Sequence, residues 1–200
     1  MTEQQHSNSN KDARSSAQKE SGLVLTLKVP VGISVHCTKD LIAVEGKGKS
    51  VSRKFIFGDL KVEFKDQIVR ISSERNTRRT RTLAGTLEAH TMNLIKGIQF
   101  GPCRYQLKIC AGHFPMNVSL SGADFIIKNF LGESVPRKIK IPSGVKVKIA
   151  GDQITVEADT KEAAGQVAAS IEKLTVIKGR DLRIFQDGIY ITQKERFERE

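Results

Sequence analysis

The chain repeats itself once, and no other feature of the sequence constrains its fold as tightly. Pro30-Val-Gly-Ile33-Ser34-Val35 is echoed by Pro115-Met-Asn-Val118-Ser119-Leu120, and Asp40-Leu-Ile42 by Asp124-Phe-Ile126. Gly48-x-Ser50-Val51-x-Arg53-Lys54 returns as Gly132-x-Ser134-Val135-x-Arg137-Lys138, at a constant offset of 84 residues. Asp66-Gln67-Ile68 matches Asp152-Gln153-Ile154, Ala84-Gly85 matches Ala164-Gly165, and Ile95-Lys96-Gly97 matches Ile177-Lys178-Gly179. A period of about 80–86 residues is too long for a solenoid unit, so each copy is expected to be a domain.

Within the first copy the apolar period is that of strands, then of a helix. Leu23, Leu25, Leu27 and Val29 alternate with Val24, Thr26 and Lys28, and short β-rich runs follow at 33–37, 41–45, 51–57, 60–64 and 68–72. Leu83, Leu87, Thr91, Leu94 and Ile95 then recur at helical spacing, which predicts a helix over 78–96 stopped by Gly97. In the second copy Asp159 and Glu162 form a capping-box-like start, and Ala164, Val167, Ala168, Ile171 and Leu174 line one face. The expected fold is α+β: two tandem duplicated domains, each a small, mainly antiparallel sheet covered by one helix. The expected boundaries are a disordered polar extension at 1–22, domains at 23–99 and 100–193, and a charged tail at 194–200.

Charge narrows the partner. The chain holds 33 Lys and Arg against 22 Asp and Glu, a net +11, and the first 22 residues are neutral, so the excess belongs to the folded part. Such a surface attracts polyanions, nucleic acid foremost. No apolar run approaches the ~20 residues of a membrane span, and the N-terminus is too polar for a signal peptide, so a soluble cytoplasmic protein is expected. Cys37, Cys103 and Cys110 are odd in number and lack C-x-x-C spacing, which argues against disulfides. In a strand Cys103 and Cys110 would face opposite sides, so they do not join His113 around a metal, and none is expected.

Nothing in the pattern asks for catalysis. Gly46-Lys47-Gly48-Lys49-Ser50 imitates a phosphate-binding loop, but Ala43 stands where its first glycine is required and no helix follows. The second copy keeps the glycine and serine (Gly132, Ser134) and loses the lysine, which marks a turn. His6, His36, His90 and His113 lack a neighbouring carboxylate or nucleophile at suggestive spacing. No enzyme activity, cofactor or small-molecule substrate is expected.

The cations cluster instead. Residues 70–81 hold Arg70, Arg75, Arg78, Arg79 and Arg81, and three arginines at a helix start oppose its dipole unless a phosphate joins them. Residues 137–148 carry Arg137, Lys138, Lys140, Lys146 and Lys148, residues 96–108 carry Lys96, Arg104 and Lys108, and Lys178, Arg180 and Arg183 follow the second helix. With no stacking motif of exposed aromatics, this composition points to folded RNA recognised by backbone and shape.

Several strings then assemble into a family pattern: Asn93-Leu94-Ile95-Lys96-Gly97, His113-Phe114-Pro115, Asn129-Phe130-Leu131-Gly132-Glu133, Gly165-Gln166-Val167-Ala168-Ala169-Ser170-Ile171-Glu172, and Arg180-Asp181-x-Arg183-x-Phe185-Gln186-Asp187-Gly188-Ile189-Tyr190. Over residues 23–194 they resemble the large-subunit ribosomal protein L-six family, in its archaeal and eukaryotic form. The resemblance implies a structural ribosomal protein whose second domain makes most of the contact to large-subunit rRNA. It implies a place near the stalk base, among neighbouring large-subunit proteins and beside the sarcin–ricin region where translational GTPases dock. Carried over by position, Lys178, Arg180 and Arg183 are the expected RNA contacts, with Asp181 and Asp187 holding that segment's own fold. Arg137, Lys138, Lys140, Lys96, Arg104, Arg78, Arg79 and Arg81 complete the candidate set.

Overall fold

The computed structural model describes residues 22–38 and 40–196, so the expected extension at 1–22 lies outside it except for Gly22. Six strands and a helix make up the first copy: β1 (Leu23–Lys28), β2 (Ile33–Cys37), β3 (Leu41–Gly46), β4 (Lys49–Lys54), β5 (Lys61–Lys65), β6 (Ile68–Ser73) and α1 (Arg78–Phe100). The second contains β7 (Cys103–Cys110), β8 (Asn117–Ser121), β9 (Asp124–Lys128), β10 (Arg137–Lys140), β11 (Val145–Ala150), β12 (Gln153–Ala158), α2 (Lys161–Leu174) and β13 (Gly188–Arg196). Every pairing is antiparallel. The sheets run β1-β6-β5 and β2-β3-β4 in the first copy, β11-β12-β7-β13 and β10-β9-β8 in the second.

Period-two alternation builds both cores. Leu27, Val29, Val69 and Ile71 point from the first sheet toward Ala84, Leu87, Leu94 and Ile95 of α1, and Tyr105, Leu107, Ile154 and Val156 meet Ala164, Val167, Ala168 and Ile171 of α2. The duplicated α+β architecture read from the sequence is the one observed. Among the described residues β13 has no counterpart in the first copy. It continues to Arg196, three residues into the stretch expected as a tail, whose last four residues lie outside the described chain.

Four local expectations are corrected. First, α1 does not stop at Gly97 but runs on to Phe100, with Gly101 as its cap at φ 91°. Gly97 is buried inside the helix, where a Cβ would lie 2.7 Å from the carbonyl oxygen of Asp159. Its glycine is a close approach between the two copies, not a stop signal. Second, α2 is capped by Thr160, whose hydroxyl accepts from the Ala163 amide at 3.1 Å, while Asp159 instead pairs with Lys49 at 3.0 Å.

Third, Ile95-Lys96-Gly97 is helical whereas Ile177-Lys178-Gly179 follows the end of α2, so those strings are not equivalent in space. Fourth, the Asp-Gln-Ile match is off by one. Ile68 is exposed and Ile154 fully buried, and the residue that faces the core as Ile154 does is Val69. A one-residue slip changes the face of every side chain in a strand, so burial outranks letter identity here.

The Gly46–Ser50 decoy is a two-residue hairpin between β3 and β4, with Lys47 and Gly48 both at positive φ, as a type I′ turn requires. Lys49 of this hairpin faces the domain junction, where it pairs with Asp159. Lys47 Nζ donates to the Gln99 carbonyl at 2.9 Å, and Arg53 reaches Glu162 at 2.7 Å while also contacting the His90 ring. An exposed ion pair such as Lys49–Asp159 contributes only ~0–1 kcal/mol, so the closer constraint on the two copies is the Gly97–Asp159 contact.

Gly97→Ala is therefore expected to destabilise the protein by about 1–3 kcal/mol in urea unfolding, because backbone must shift to admit the methyl group. Gly85, in the same helix with open space around it, gives the contrast: Gly85→Ala should stabilise by about 0.5–1 kcal/mol. A Gly97→Ala variant as stable as Gly85→Ala would contradict the close-approach account.

Candidate nucleic-acid interface

The segment between α2 and β13 carries Lys178, Arg180 and Arg183, all exposed, and both of its ends are tied down. At the helix end, Thr175 Oγ1 donates to the Glu172 carbonyl and accepts the Ile189 amide at 3.0 Å. In the middle, Asp181 Oδ1 accepts the Arg183 amide at 2.9 Å, and the Asp181 carbonyl accepts from Ile184 and Phe185, closing a turn. At the strand end, Asp187 is 3% exposed and takes the amides of Gly112 at 2.6 Å and His113 at 3.2 Å. Phe185 sits between His113, at 5.0 Å between centroids, and Arg180, whose guanidinium lies 4.8 Å above the ring. Asp181 and Asp187 thus play the framework part expected of them.

Burial pushes the Asp187 carboxyl up, but the amides of Gly112, His113 and Phe114 and the His113 ring outweigh it and hold the group below the ordinary carboxylate range. No spacing in the sequence pointed to the His113–Asp187 pair, whose members are brought together across 74 residues.

A cleft of about 500 Å³ opens beside this loop, lined by Glu133, Arg137, Lys173, Leu174, Lys178 and Arg180 among others. It brings together three of the expected cations and adds Lys173, whose place at the last turn of α2 only the folded chain reveals. Arg137 differs from its neighbours. Its Nε and Nη2 donate to Glu133 at 2.8 and 2.6 Å, its Nη1 donates to the Leu174 carbonyl at 2.6 Å, and its guanidinium covers the Phe130 ring. Those donors already serve protein acceptors, so Arg137 braces the β9–β10 connection against the end of α2.

A second basic surface is the face of the four-stranded sheet turned away from α2. Strand register aligns Lys146, Glu157 and Arg104 in one row, Lys148, Thr155 and Gln106 in the next, then Ala150, Gln153 and Lys108. Arg104 bonds Glu157 at 2.9 Å and Lys148 approaches it at 3.8 Å, so two cations share one half-buried carboxylate. Lys138 and Lys140 alternate with Arg137 and Ile139 on β10 and are exposed.

The remaining candidates lie apart. Lys96 is an exposed residue of α1. Arg78, Arg79 and Arg81 open that helix, and because its C-terminal part meets Asp159, they stand roughly 25–30 Å along its axis from the junction. Thr77 caps the Thr80 amide there, and Arg81 Nε donates to Asn76 at 2.6 Å. The protein itself therefore satisfies part of the helix start that was expected to await a phosphate. Among the described residues no cluster of histidine, cysteine and carboxylate side chains is arranged to hold a metal ion, and no helix is long and apolar enough to cross a membrane.

The model of the ribosomal protein L6 family matches this chain twice, over residues 29–101 and 114–188. Large ribosomal subunit protein uL6 of Methanosarcina mazei is 41% identical over 170 residues, covering 84% of this chain and 96% of its own. The uL6 proteins of Natronomonas pharaonis and Methanococcus vannielii are 40% and 39% identical, each over 84% of this chain and 94% and 92% of their own.

Because Asp187 titrates below the ordinary aspartate value of about 3.9, its anchor stabilises the fold above that pH and fades as pH falls through the lower, folded value. Asp187→Asn is expected to lower stability at pH 7 by about 1–3 kcal/mol, with the gap to the parent narrowing below pH ~4. Stability–pH curves that stay parallel would contradict the anchor.

Proposed function

The chain belongs to the ribosomal protein L6 family, and from that premise we propose that it binds large-subunit rRNA near the stalk base, beside the sarcin–ricin region. There it supports the surface on which translation factors dock. It is a cytoplasmic protein of the large ribosomal subunit, a ribonucleoprotein component and not an enzyme. Its other partners are the neighbouring large-subunit proteins at the stalk base.

The observation that carries the reading is the pinned loop. Lys178, Arg180 and Arg183 are exposed cations on a backbone already fixed at Thr175, Asp181 and Asp187, so little ordering is left to be done on binding. Phosphate oxygens are the acceptors such a loop fits, and they position without reading sequence. The basic outer face of the sheet, with Arg104, Lys108, Lys146 and Lys148, extends the contact. Lys138 and Lys140 add to it from β10. Lys96 and the Arg78, Arg79 and Arg81 group belong to the first copy and form separate, secondary contacts.

Sucrose-gradient fractionation at moderate salt tests the reading. The chain should co-migrate stoichiometrically with the large subunit. Arg180→Ala/Arg183→Ala should leave the subunit at lower salt and flatten the salt dependence of rRNA binding by about one unit of slope per lost phosphate contact. Arg137→Ala should instead lower the stability of the free protein by about 1–3 kcal/mol. Recovery of the parent chain at the top of the gradient, or an unchanged slope in the double variant, would overturn the assignment.

A further inference from the structure

The duplication supplies an internal comparison for one open sheet edge, that of β1. β1 and β7 are equivalent strands: each leads its copy, each pairs with the last strand before the helix, and Leu27 faces Val69 as Leu107 faces Ile154. The far side of β7 is occupied by β13, which pairs with it antiparallel from Gly188 onward. Among the described residues no strand occupies the far side of β1.

Register identifies the groups this leaves unpaired. The Val29 amide bonds the Gln67 carbonyl, so the odd-numbered residues of β1 bond β6, and Val24, Thr26 and Lys28 turn their N–H and C=O groups outward. In the second copy the Ile109 amide bonds Asp152, and the even-numbered residues of β7 face β13 in the same way.

Side-chain burial records the same deficit. Cys103 and Tyr105 are buried beneath the completed sheet, while their equivalents Leu23 and Leu25 are only half-buried and Val24 is 49% exposed. Sheet edges are normally defended by charge. β5 presents Lys61, Glu63 and Lys65, and β11 presents Lys146 and Lys148, but β1 reads Leu-Val-Leu-Thr-Leu before its single Lys28.

We propose that β1 is a docking edge for one extended strand of a neighbouring large-subunit protein, added antiparallel as β13 is added to β7. This rests on the ribosomal reading above. The incoming strand completes the ladder at Val24, Thr26 and Lys28, and its alternate apolar residues cover Leu23 and Leu25. A peptide strand suits the site better than RNA, because the equivalent edge is filled by peptide and the exposed residue at its centre is not cationic.

Hydrogen–deuterium exchange on the full chain, free and assembled in purified large subunits, tests this. The amides of Val24, Thr26 and Lys28 should exchange freely in the isolated protein and about a hundredfold or more slowly in the subunit. A photo-cross-linking residue replacing Val24 should then form an adduct with another protein. Protection already present in the free chain would mean that its own residues or a second copy cover the edge. That result, unprotected amides in the subunit, or an adduct with RNA alone would each overturn the proposal. A chain that never enters subunits would instead remove the ribosomal reading on which it rests.

Discussion

Each helix of this protein can bury its apolar stripe only against the inward residues of the sheet beneath it, and the rest of the structure follows from that packing. Strand residues alternate, so once Leu27, Val29, Val69 and Ile71 face α1, and Tyr105, Leu107, Ile154 and Val156 face α2, their neighbours must face away. In the second copy those neighbours are Arg104, Lys108, Lys146 and Lys148. The basic surface is thus the complement of the core, written into the same strands at the intervening positions.

A cationic surface is not yet a binding surface, because long side chains on loose backbone lose entropy when they are held. The stretch after α2 meets this with protein–protein bonds to its backbone: a hydroxyl at Thr175, a turn at Asp181 and a buried carboxylate at Asp187. Arginines divide between the two tasks. Arg137 and Arg53 spend their donors within the fold, on Glu133 and the end of α2 in one case, on Glu162 and His90 in the other. Arg180 and Arg183 keep their side chains exposed above the fixed backbone.

Much of this was legible beforehand. The repeat and its alternation were enough for the α+β duplication, and Ala43 in place of the first glycine, with no helix after Ser50, was enough to discount a phosphate loop. What misled was local identity without three-dimensional context. Gly97 reads as a helix stop because glycine usually weakens helices, yet the constraint is the carbonyl of Asp159, which belongs to the other copy. Asp159 reads as a cap because of its residue type, while Thr160 one position later has the cap geometry. Arg137 reads as one cation among five, since charge is visible in a sequence and hydrogen-bond partners are not. Lys173 and the His113–Asp187 pair enter their sites only through long-range closure.

Under the proposed function the fixed loop after α2 and the outer face of the second sheet are the RNA contacts, while Lys49 of the β3–β4 hairpin pairs with Asp159 across the junction between the copies and Lys47 with the Gln99 carbonyl of its own copy. Ultraviolet cross-linking in intact large subunits, with the adducted residues mapped by mass spectrometry, tests it most directly. RNA adducts concentrated between residues 176 and 187 and at the β11 lysines, with Lys47 and Lys49 unmodified, are the predicted outcome. Adducts confined to the β3–β4 hairpin, with the loop after α2 clean, would contradict it.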